Sequence, residues 1–338
     1  MPALIFTITG FVACSAIIIF SGARLSKYGD IITNLTGIGK AWFGLILMST
    51  VTSLPELFTG VSSILIFHVP NIAVGDIMGS CAFNLLILAL LDYFIPKKPL
   101  SSVVTKSHVV AGFLSIFLIT LTIISITFGT WFPRFGWFSS ASVLIIIVYL
   151  VAIRIIFKNE QHLSATRSTL AATVQNEKQE NVSLRLSIKR YVFFALLVII
   201  GALLLPYFAS RLATETGLSK SFIGTLLVAA STSLPELVVS ISAVKLGSTD
   251  MAVGNLLGSN IFNMLILAFD DLIYTKGPLL LETNPDHALS GLVTLLMTSV
   301  VGIGILYGSP TKRFVLAIDA IILIALYTIL MLAIYKMT

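Results

Sequence analysis

The chain has 338 residues, of which 57% are hydrophobic and only 11% are charged, against roughly 25% charged residues in an ordinary soluble domain. With a mean hydropathy of +1.02, it has too few polar side chains to cover a soluble surface, which excludes a soluble enzyme and a nucleic-acid-binding protein. In a membrane protein, the formal net charge of +6 is informative mainly through the side of the membrane on which the Lys and Arg residues lie.

Apolar stretches near the roughly 20 residues that a helix needs to cross a bilayer recur along the chain. We predict ten transmembrane helices, over residues 3–22, 41–66, 71–94, 108–128, 137–157, 191–209, 221–244, 250–273, 288–307 and 314–335. A long hydrophilic stretch follows the fifth. The sequence therefore predicts an all-α membrane protein with a first five-helix repeat (1–157), a hydrophilic linker (158–190) and a second five-helix repeat (191–338).

The distribution of Lys and Arg predicts the orientation in the membrane. If the N-terminus is external, 16 of the 21 basic residues lie on the cytoplasmic side, as the positive-inside rule requires. This predicts external N- and C-termini, a cytoplasmic central loop and a multi-pass location in the cell (plasma) membrane.

Two blocks of sequence occur twice. Gly44–Leu57 and Gly224–Leu237 share 8 of 14 residues, including TSLPEL, and Ala73–Asp92 and Ala252–Asp271 share 12 of 20. In each half the blocks lie on the second and third spans. Because five spans is an odd number, the second half enters the membrane from the opposite side, and such inverted repeats are typical of secondary transporters. The sequence contains no G-x-x-x-x-G-K-[ST] motif, so we expect an ion gradient as the energy source.

Glu56 and Glu236 lie inside apolar spans, where an ionised side chain is costly and usually functional. Pro55 and Pro235 precede them and lack the N–H that a helix needs, so we predict a break in each helix and released carbonyl oxygens beside each glutamate. A structural carboxyl, protonated or paired with a basic residue, is the alternative. Neither span, however, has a Lys or Arg in its core.

Hydroxyl groups stand within one turn of each glutamate, on Thr52, Ser53, Thr232 and Ser233. Two carboxylates, four hydroxyls and the released carbonyls would make an all-oxygen site of formal charge −2, which suits a hard cation and balances one Ca²⁺. For each hydroxyl taken singly, helix packing or backbone bonding is the alternative.

The second block of each repeat combines small and polar residues along one helix. Two glycines four residues apart allow two helix backbones to approach closely. A serine follows directly, and an asparagine follows the serine by one turn on the same face. The residues are Gly75, Gly79, Ser80 and Asn84 in the first repeat, and Gly254, Gly258, Ser259 and Asn263 in the second. The asparagine oxygens can hold a monovalent ion or a water, or the amides can simply join helices.

Other acidic residues are weaker candidates. Asp76, matched by Asn255, lies near the predicted external end of its span, where it either attracts cations or is a solvated helix-end acid. Asp92 and Asp271 are equivalent across the repeats and close their spans, which favours a structural role.

The two TSLPEL blocks, each followed by G-S-x-x-F-N, resemble the alpha repeats of the cation/calcium exchanger superfamily, specifically its prokaryotic sodium/calcium exchanger-like members. The resemblance covers essentially the whole chain. It implies an antiporter rather than an enzyme, without a cofactor, whose partners are Ca²⁺, Na⁺ and the lipid bilayer. It implies Ca²⁺ ligands at Glu56, Glu236, Thr52 and Thr232. It implies Na⁺ sites at Ser53, Ser233, Ser80 and Ser259 and at the carbonyls of Ser49 and Ala229.

The chain departs from the family pattern at several positions. Val51 and Ser231 replace the usual glycine before TSLPEL, and Asp76 and Cys81 stand where the first repeat usually has Asn. Many relatives have Asp at the position of Asn263, so a third central negative charge is absent there and the ion stoichiometry stays open.

We therefore expect exchange of Ca²⁺ for Na⁺ by alternating access, in the direction of Ca²⁺ extrusion, and the resemblance implies that the first and sixth spans slide across the core. An H⁺-coupled Ca²⁺ exchanger with the same two glutamates is the main alternative. A cation channel and a non-transporting scaffold are further alternatives, which the broken inverted helices and the duplicated glutamates disfavour. The sequence leaves the oligomeric state open and is compatible with a monomer.

Overall fold

The structure, a computed structural model, describes residues 2–66, 68, 70–171, 183–215 and 230–337. Within these residues, nine helical stretches are long and apolar enough to cross a membrane. They correspond to nine of the ten predicted spans, while the remaining one, 221–244, is described only from residue 230 onward. The chain is a multi-pass membrane protein whose described residues are almost entirely helical, as the sequence predicts.

The first half begins with a long helix and contains one span that is divided into short pieces. Its elements are α1 (Pro2–Thr36), α2 (Lys40–Phe43), a π-helical turn (Gly44–Met48), α3 (Ser49–Thr52), α4 (Leu54–Leu65), α5 (Pro70–Leu91), a 3-10 turn (Asp92–Phe94), α6 (Leu100–Val103), α7 (Ser107–Thr127), a 3-10 turn (Gly129–Trp131), β1 (Arg134–Phe135), β2 (Phe138–Ser139) and α8 (Ser140–Ala171).

The second half repeats this order over the part that the structure describes. Its elements are α9 (Leu184–Glu215), α10 (Leu234–Lys245), α11 (Thr249–Ile273), α12 (Leu279–Glu282), α13 (His287–Tyr307) and α14 (Ile318–Met337). Thus α4, α5, α6 and α7 recur as α10, α11, α12 and α13. The predicted architecture of two five-helix repeats with broken core helices is confirmed.

Helix α1 continues to Thr36, well beyond the predicted end at residue 22. The extension contains Arg24 and Lys27, and these two charged residues are the reason that a prediction from hydropathy ends the span before them. Leu25, Tyr28 and Ile32 are nevertheless buried on one helical face, and their packing stabilises a helix that its composition alone does not predict.

Helices α8 and α9 enter the predicted linker 158–190 from both ends, since α8 runs to Ala171 and α9 starts at Leu184. Residues 172–182 between them lie outside the described residues. The division of the chain at residues 157 and 190 stays a prediction.

The two helices that carry the second sequence block, α5 and α11, are the most buried of the spans in the described residues. They pack against each other and against α7, α8, α13 and α14. Helices α1 and α9 pack along each other and contact α10. They share a small apolar cluster around Ile18 and Leu205, while other parts of both helices, such as Leu25 and Tyr191, pack into the main core.

Asp92 and Asp271 close their spans in the same way. Asp92 Oδ1 accepts a hydrogen bond from the Leu100 N–H at 2.7 Å, and Asp271 Oδ1 accepts one from the Leu279 N–H at 2.6 Å. Asp92 also pairs with Lys312 at 2.9 Å. Each carboxylate therefore holds the start of the next short helix, which agrees with the structural role expected for both.

Glycines bring α11 directly onto the backbone of the broken span in the first repeat. A Cβ at Gly254 would lie 2.5 Å from the Ala41 carbonyl oxygen. At Gly258 a Cβ would overlap the backbone of Leu45, and at Gly44 it would overlap the carbonyl of Met251. The predicted close approach of helix backbones is present for the second-repeat pair.

A small antiparallel hairpin interrupts the helical pattern between α7 and α8. Arg134 pairs with Ser139 and Phe135 with Phe138, and Gly136 has a φ of +66°, a conformation that glycine adopts readily. Sequence analysis predicts only a turn here, because two-residue strands are too short to produce an alternating pattern.

Candidate cation-binding site

The two TSLPEL segments interrupt their helices at equivalent serines. Ser53 has φ −92° and ψ 6°, between α3 and α4, and Ser233 has φ −87° and ψ 6°, before α10. Pro55 and Pro235 then occupy the first turn of the new helix in each repeat, where a missing N–H costs nothing. The predicted proline breaks are confirmed.

Glu56 and Glu236 lie in the first turn after each break. They are 1% and 0% exposed. A helix N-terminus carries partial positive charge, which stabilises a carboxylate in its first turn. Neither glutamate forms an ion pair among the described residues.

Serine hydroxyls hold one oxygen of each glutamate. Ser80 Oγ donates to Glu56 Oε1 at 3.4 Å, and the equivalent Ser259 Oγ donates to Glu236 Oε1 at 3.4 Å. Ser53 Oγ adds a bond from the first repeat to Glu236 Oε1 at 3.0 Å. The Oε2 atoms of both glutamates are buried and have no hydrogen-bond partner among the described residues.

Ser233 adds a contact from the second repeat to the group around Glu56, because its Oγ donates to Ser80 Oγ at 3.3 Å. The hydrogen bonds therefore form two groups, one around each glutamate, and each group combines one carboxylate with serine hydroxyls from both repeats. The structure brings together the predicted residues Glu56, Glu236, Ser53, Ser80, Ser233 and Ser259.

The motif threonines face partners that sequence analysis does not assign to the site. Thr52 Oγ1 donates to Asn255 Oδ1 at 3.2 Å, and Thr232 Oγ1 donates to Asp76 Oδ1 at 3.3 Å. Asp76 and Asn255 precede the site serines of α5 and α11 by one turn and occupy equivalent positions in the repeat, which is the signal that could have identified them. Asp76 is thus no simple helix-end acid, since it contacts a motif threonine of the other repeat.

Asn84 and Asn263 lie one turn further along α5 and α11, on the other side of the site serines. Asn84 Nδ2 donates to Asn260 Oδ1 at 3.0 Å, and Asn263 Nδ2 donates to Cys81 Sγ at 3.6 Å. Both residues join the two central helices. Their Oδ1 atoms are buried and without a hydrogen-bond partner in the described part of the chain, so they are available as ligands.

The two remaining predicted positions are the backbone carbonyls of Ser49 and Ala229. Ser49 Oγ donates back to the Leu45 carbonyl at 2.6 Å, and its own carbonyl accepts the Ser53 N–H at 2.9 Å and Thr52 Oγ1 at 3.3 Å. The Ser49 carbonyl is therefore already engaged within its helix. Ala229 lies outside the described residues.

The donor set suits hard cations. In the described part of the chain, no three side chains of His, Cys, Asp or Glu stand close enough to hold one metal ion. A soft-metal or multi-histidine site is therefore absent there. Two carboxylates surrounded by hydroxyl oxygens are the ligand types that Ca²⁺ prefers.

Known proteins resemble this chain over most of its length. The family described as sodium/calcium exchanger protein matches residues 6–158 and 189–336, one stretch in each half. An uncharacterised membrane protein of Methanocaldococcus jannaschii is 30% identical over 221 residues, which are 64% of this chain and 65% of that protein. The inner membrane protein YrbG of Escherichia coli is 27% identical over 300 residues, 83% of this chain and 84% of that protein.

A solved structure of the sodium-calcium exchanger NCX_Mj has the same fold. It aligns with a TM-score of 0.74 at 24% identity, and the alignment covers 96% of this chain and 97% of that one. At this level of identity the likeness concerns the fold alone.

Proposed function

Because the chain belongs to the sodium/calcium exchanger family, we propose that it is a secondary active antiporter that exchanges Ca²⁺ for Na⁺ across the membrane by alternating access. The observation that carries this proposal is the pair of buried glutamates from opposite repeats, each held by a serine hydroxyl. Each glutamate has one carboxylate oxygen without a hydrogen-bond partner among the described residues.

The site binds Ca²⁺ through Glu56 and Glu236, with Thr52 and Thr232 as further oxygen ligands. Two ionised glutamates in a low-dielectric interior need neutralising before the protein can reorient. One Ca²⁺ or monovalent cations at the neighbouring hydroxyls achieve this. Ca²⁺ and Na⁺ therefore compete, and a loaded site permits the transition between outward- and inward-facing states.

The Na⁺ positions are Ser53, Ser233, Ser80 and Ser259, with Asn84 and Asn263 as neighbours. Ser80 and Ser259 each bond to the glutamate of their own repeat, so a Na⁺ ion at either hydroxyl lies beside a Ca²⁺ ligand. Shared ligands of this kind couple the binding of the two ions, because an ion at one position weakens the binding of an ion at the neighbouring position.

Helices α1 and α9 are the moving pair. They share one small apolar cluster apart from the main core, and α1 contacts the core helix α10 through the bond from Ser26 Oγ to the Val239 carbonyl at 2.8 Å. Sliding this pair across α10 opens the site to one side and closes it to the other. An inward Na⁺ gradient then drives Ca²⁺ extrusion.

The coupling ion is determined by ⁴⁵Ca²⁺ uptake into proteoliposomes that are loaded with Na⁺ and diluted into Na⁺-free buffer. We expect uptake only with the outward Na⁺ gradient. Uptake with a pH gradient alone would instead assign the protein to H⁺-coupled exchange, and a Ca²⁺ conductance without counter-ion would assign it to a channel.

The glutamates are tested by Glu56→Gln and Glu236→Gln. Each substitution keeps the side-chain shape but removes one negative charge, so we expect exchange to fall to the background of empty vesicles while membrane insertion is retained. Glu282→Gln is the matched control, because Glu282 is exposed on α12. Normal ⁴⁵Ca²⁺ uptake by either site variant would contradict the proposal.

The proposed orientation has external termini and a cytoplasmic central loop. It places the exposed Arg134 outside and the exposed Lys98 inside. We expect a membrane-impermeant thiol reagent, added to intact cells, to label Arg134→Cys but not Lys98→Cys, and the reverse pattern would invert the topology.

A further inference from the structure

The two repeats place a polar residue at equivalent positions beside the two motif threonines. On α5 this residue is Asp76, which accepts the Thr232 hydroxyl at 3.3 Å. On α11 it is Asn255, which accepts the Thr52 hydroxyl at 3.2 Å. The contacts are pseudo-symmetric but the charges are not, since a carboxylate stands on one side and a neutral amide on the other.

Asn255 is paired at both ends of its side chain. Its Nδ2 donates to Ser240 Oγ at 3.1 Å while its Oδ1 accepts from Thr52, and the residue is 0% exposed. An amide held in this way links α11 to α3 and α10. Nothing in its surroundings requires an ion.

Asp76 is paired at one oxygen only. Its Oδ2 is inaccessible to solvent and has no hydrogen-bond partner among the described residues. Asp76 forms no ion pair in the described part of the chain either. A carboxylate oxygen in this position is costly unless a cation or a proton neutralises it.

Glu56 is the neighbour that makes the position of Asp76 significant. Asp76 and Ser80 lie one turn apart on the same face of α5, and Ser80 donates to Glu56. Glu56 is almost fully buried, and its Oε2 also has no partner among the described residues. The charges of Asp76 and Glu56 repel each other, and a cation near both relieves the repulsion.

The geometry separates this cation from the divalent ion. Three acidic side chains do not converge on one point anywhere in the described residues, so Asp76 does not join Glu56 and Glu236 around a single Ca²⁺. It stands beside that position, with Thr232 as its hydroxyl neighbour.

We propose that Asp76, the Thr232 hydroxyl and the Glu56 carboxylate form a subsite for one Na⁺ ion beside the Ca²⁺ position. The inference rests on the exchange function proposed above and extends it. Three carboxylates give the transport site a formal charge of −3. Three Na⁺ ions neutralise that charge, as does one Ca²⁺ accompanied by one Na⁺ at Asp76.

A proton is the competing occupant of Asp76. Among the described residues, Cys81 and Asp270 also interact electrostatically with Asp76, and neither supplies a positive charge. His287 of α13 packs beside Gly75, the residue before Asp76. The experiment therefore includes a pH series.

The subsite is tested by ion-dependent thermal stabilisation of the purified protein in detergent, because a ligand that binds the folded state raises Tm. Asp76→Asn keeps the acceptor for Thr232 and removes only the charge. We expect the Na⁺ concentration that gives half of the Tm rise to increase by about tenfold, and the corresponding Ca²⁺ concentration to change by less than about threefold. Asp286→Asn, an exposed Asp at the start of α13, should match the wild type.

Three results would overturn the proposal. These are a wild-type Na⁺ response in Asp76→Asn, an equal loss of the Na⁺ and Ca²⁺ responses, and a response at Asp76 that follows pH but not Na⁺. Binding is measured without transport, so the two proposals fail separately. If wild-type vesicles show no Na⁺-driven uptake while Asp76→Asn still loses its Na⁺ response, the exchange function fails and the subsite stands.

Discussion

At the scale of single residues, the two central glutamates differ in how firmly they are held. Glu236 accepts hydroxyls from both repeats, Ser53 at 3.0 Å and Ser259 at 3.4 Å. Glu56 accepts one, from Ser80, because the hydroxyl of Ser233 bonds to Ser80 instead. The equivalent serines of the two motifs therefore have different hydrogen-bond partners despite their identical sequence context.

This difference predicts unequal effects for Ser53→Ala and Ser233→Ala. Ser53 bonds directly to a charged ligand, and hydrogen bonds to charged groups contribute about 1.5–3 kcal/mol. We expect Ser53→Ala to weaken the apparent Ca²⁺ affinity by about tenfold or more and Ser233→Ala to have a smaller effect. Ca²⁺-dependence of exchange in proteoliposomes measures both, and equal or reversed losses would show that the asymmetry of the contacts is unimportant.

At the scale of elements, the glycines of α11 determine how closely it approaches the broken span. The backbone of Leu45, in the π-helical turn, lies against Gly258, and Ala41 in α2 lies against Gly254. A backbone cannot move aside as a flexible side chain can. This contact holds Ser259, one residue after Gly258, against the site.

We expect Gly258→Ala to destabilise the protein by about 3 kcal/mol and to lower Tm, since the new methyl group overlaps the Leu45 backbone. Gly112→Ala in α7 is the control, because there a Cβ would make an ordinary 3.8 Å contact with Thr298. Thermal unfolding in detergent compares the two variants. A Tm for Gly258→Ala as high as that of Gly112→Ala would mean that α11 can shift away from the turn.

The breaks at Ser53 and Ser233 follow from the sequence because a proline acts locally and the motif occurs twice. The full length of α1 does not follow, because Leu25, Tyr28 and Ile32 stabilise it through contacts with distant helices. For the same reason the sequence alone does not predict the contact that Asp76 makes inside the site. Its meeting with Thr232 depends on how α5 packs against the other repeat, which no spacing within one block reveals.

At the scale of the whole molecule, the α1 and α9 pair stands beside a core that contains every described site residue. Gly22 of α1 faces Val238 of α10, and a Cβ added at Gly22 would lie 3.6 Å from the Val238 Cβ. This separation falls within the roughly 3.5–4.5 Å between the Cβ atoms of a disulfide. A disulfide between positions 22 and 238 can therefore link α1 to α10.

If α1 and α9 slide during exchange, the double variant Gly22→Cys/Val238→Cys should lose ⁴⁵Ca²⁺ uptake on oxidation and recover it with a reductant. The single-cysteine variants are the controls and should stay active under both conditions. A fully crosslinked protein that exchanges at the normal rate would rule out movement of α1 against α10 at this point.

The contacts that cross between the repeats also bear on how the protein is made. Ser53, Thr52 and Thr232 each bond to a residue of the opposite half. As the chain leaves the ribosome, the first half is therefore in the membrane before most partners of its polar groups exist. Insertion of α11 is the step that completes the polar interior, so neither half, produced alone, should bind an ion.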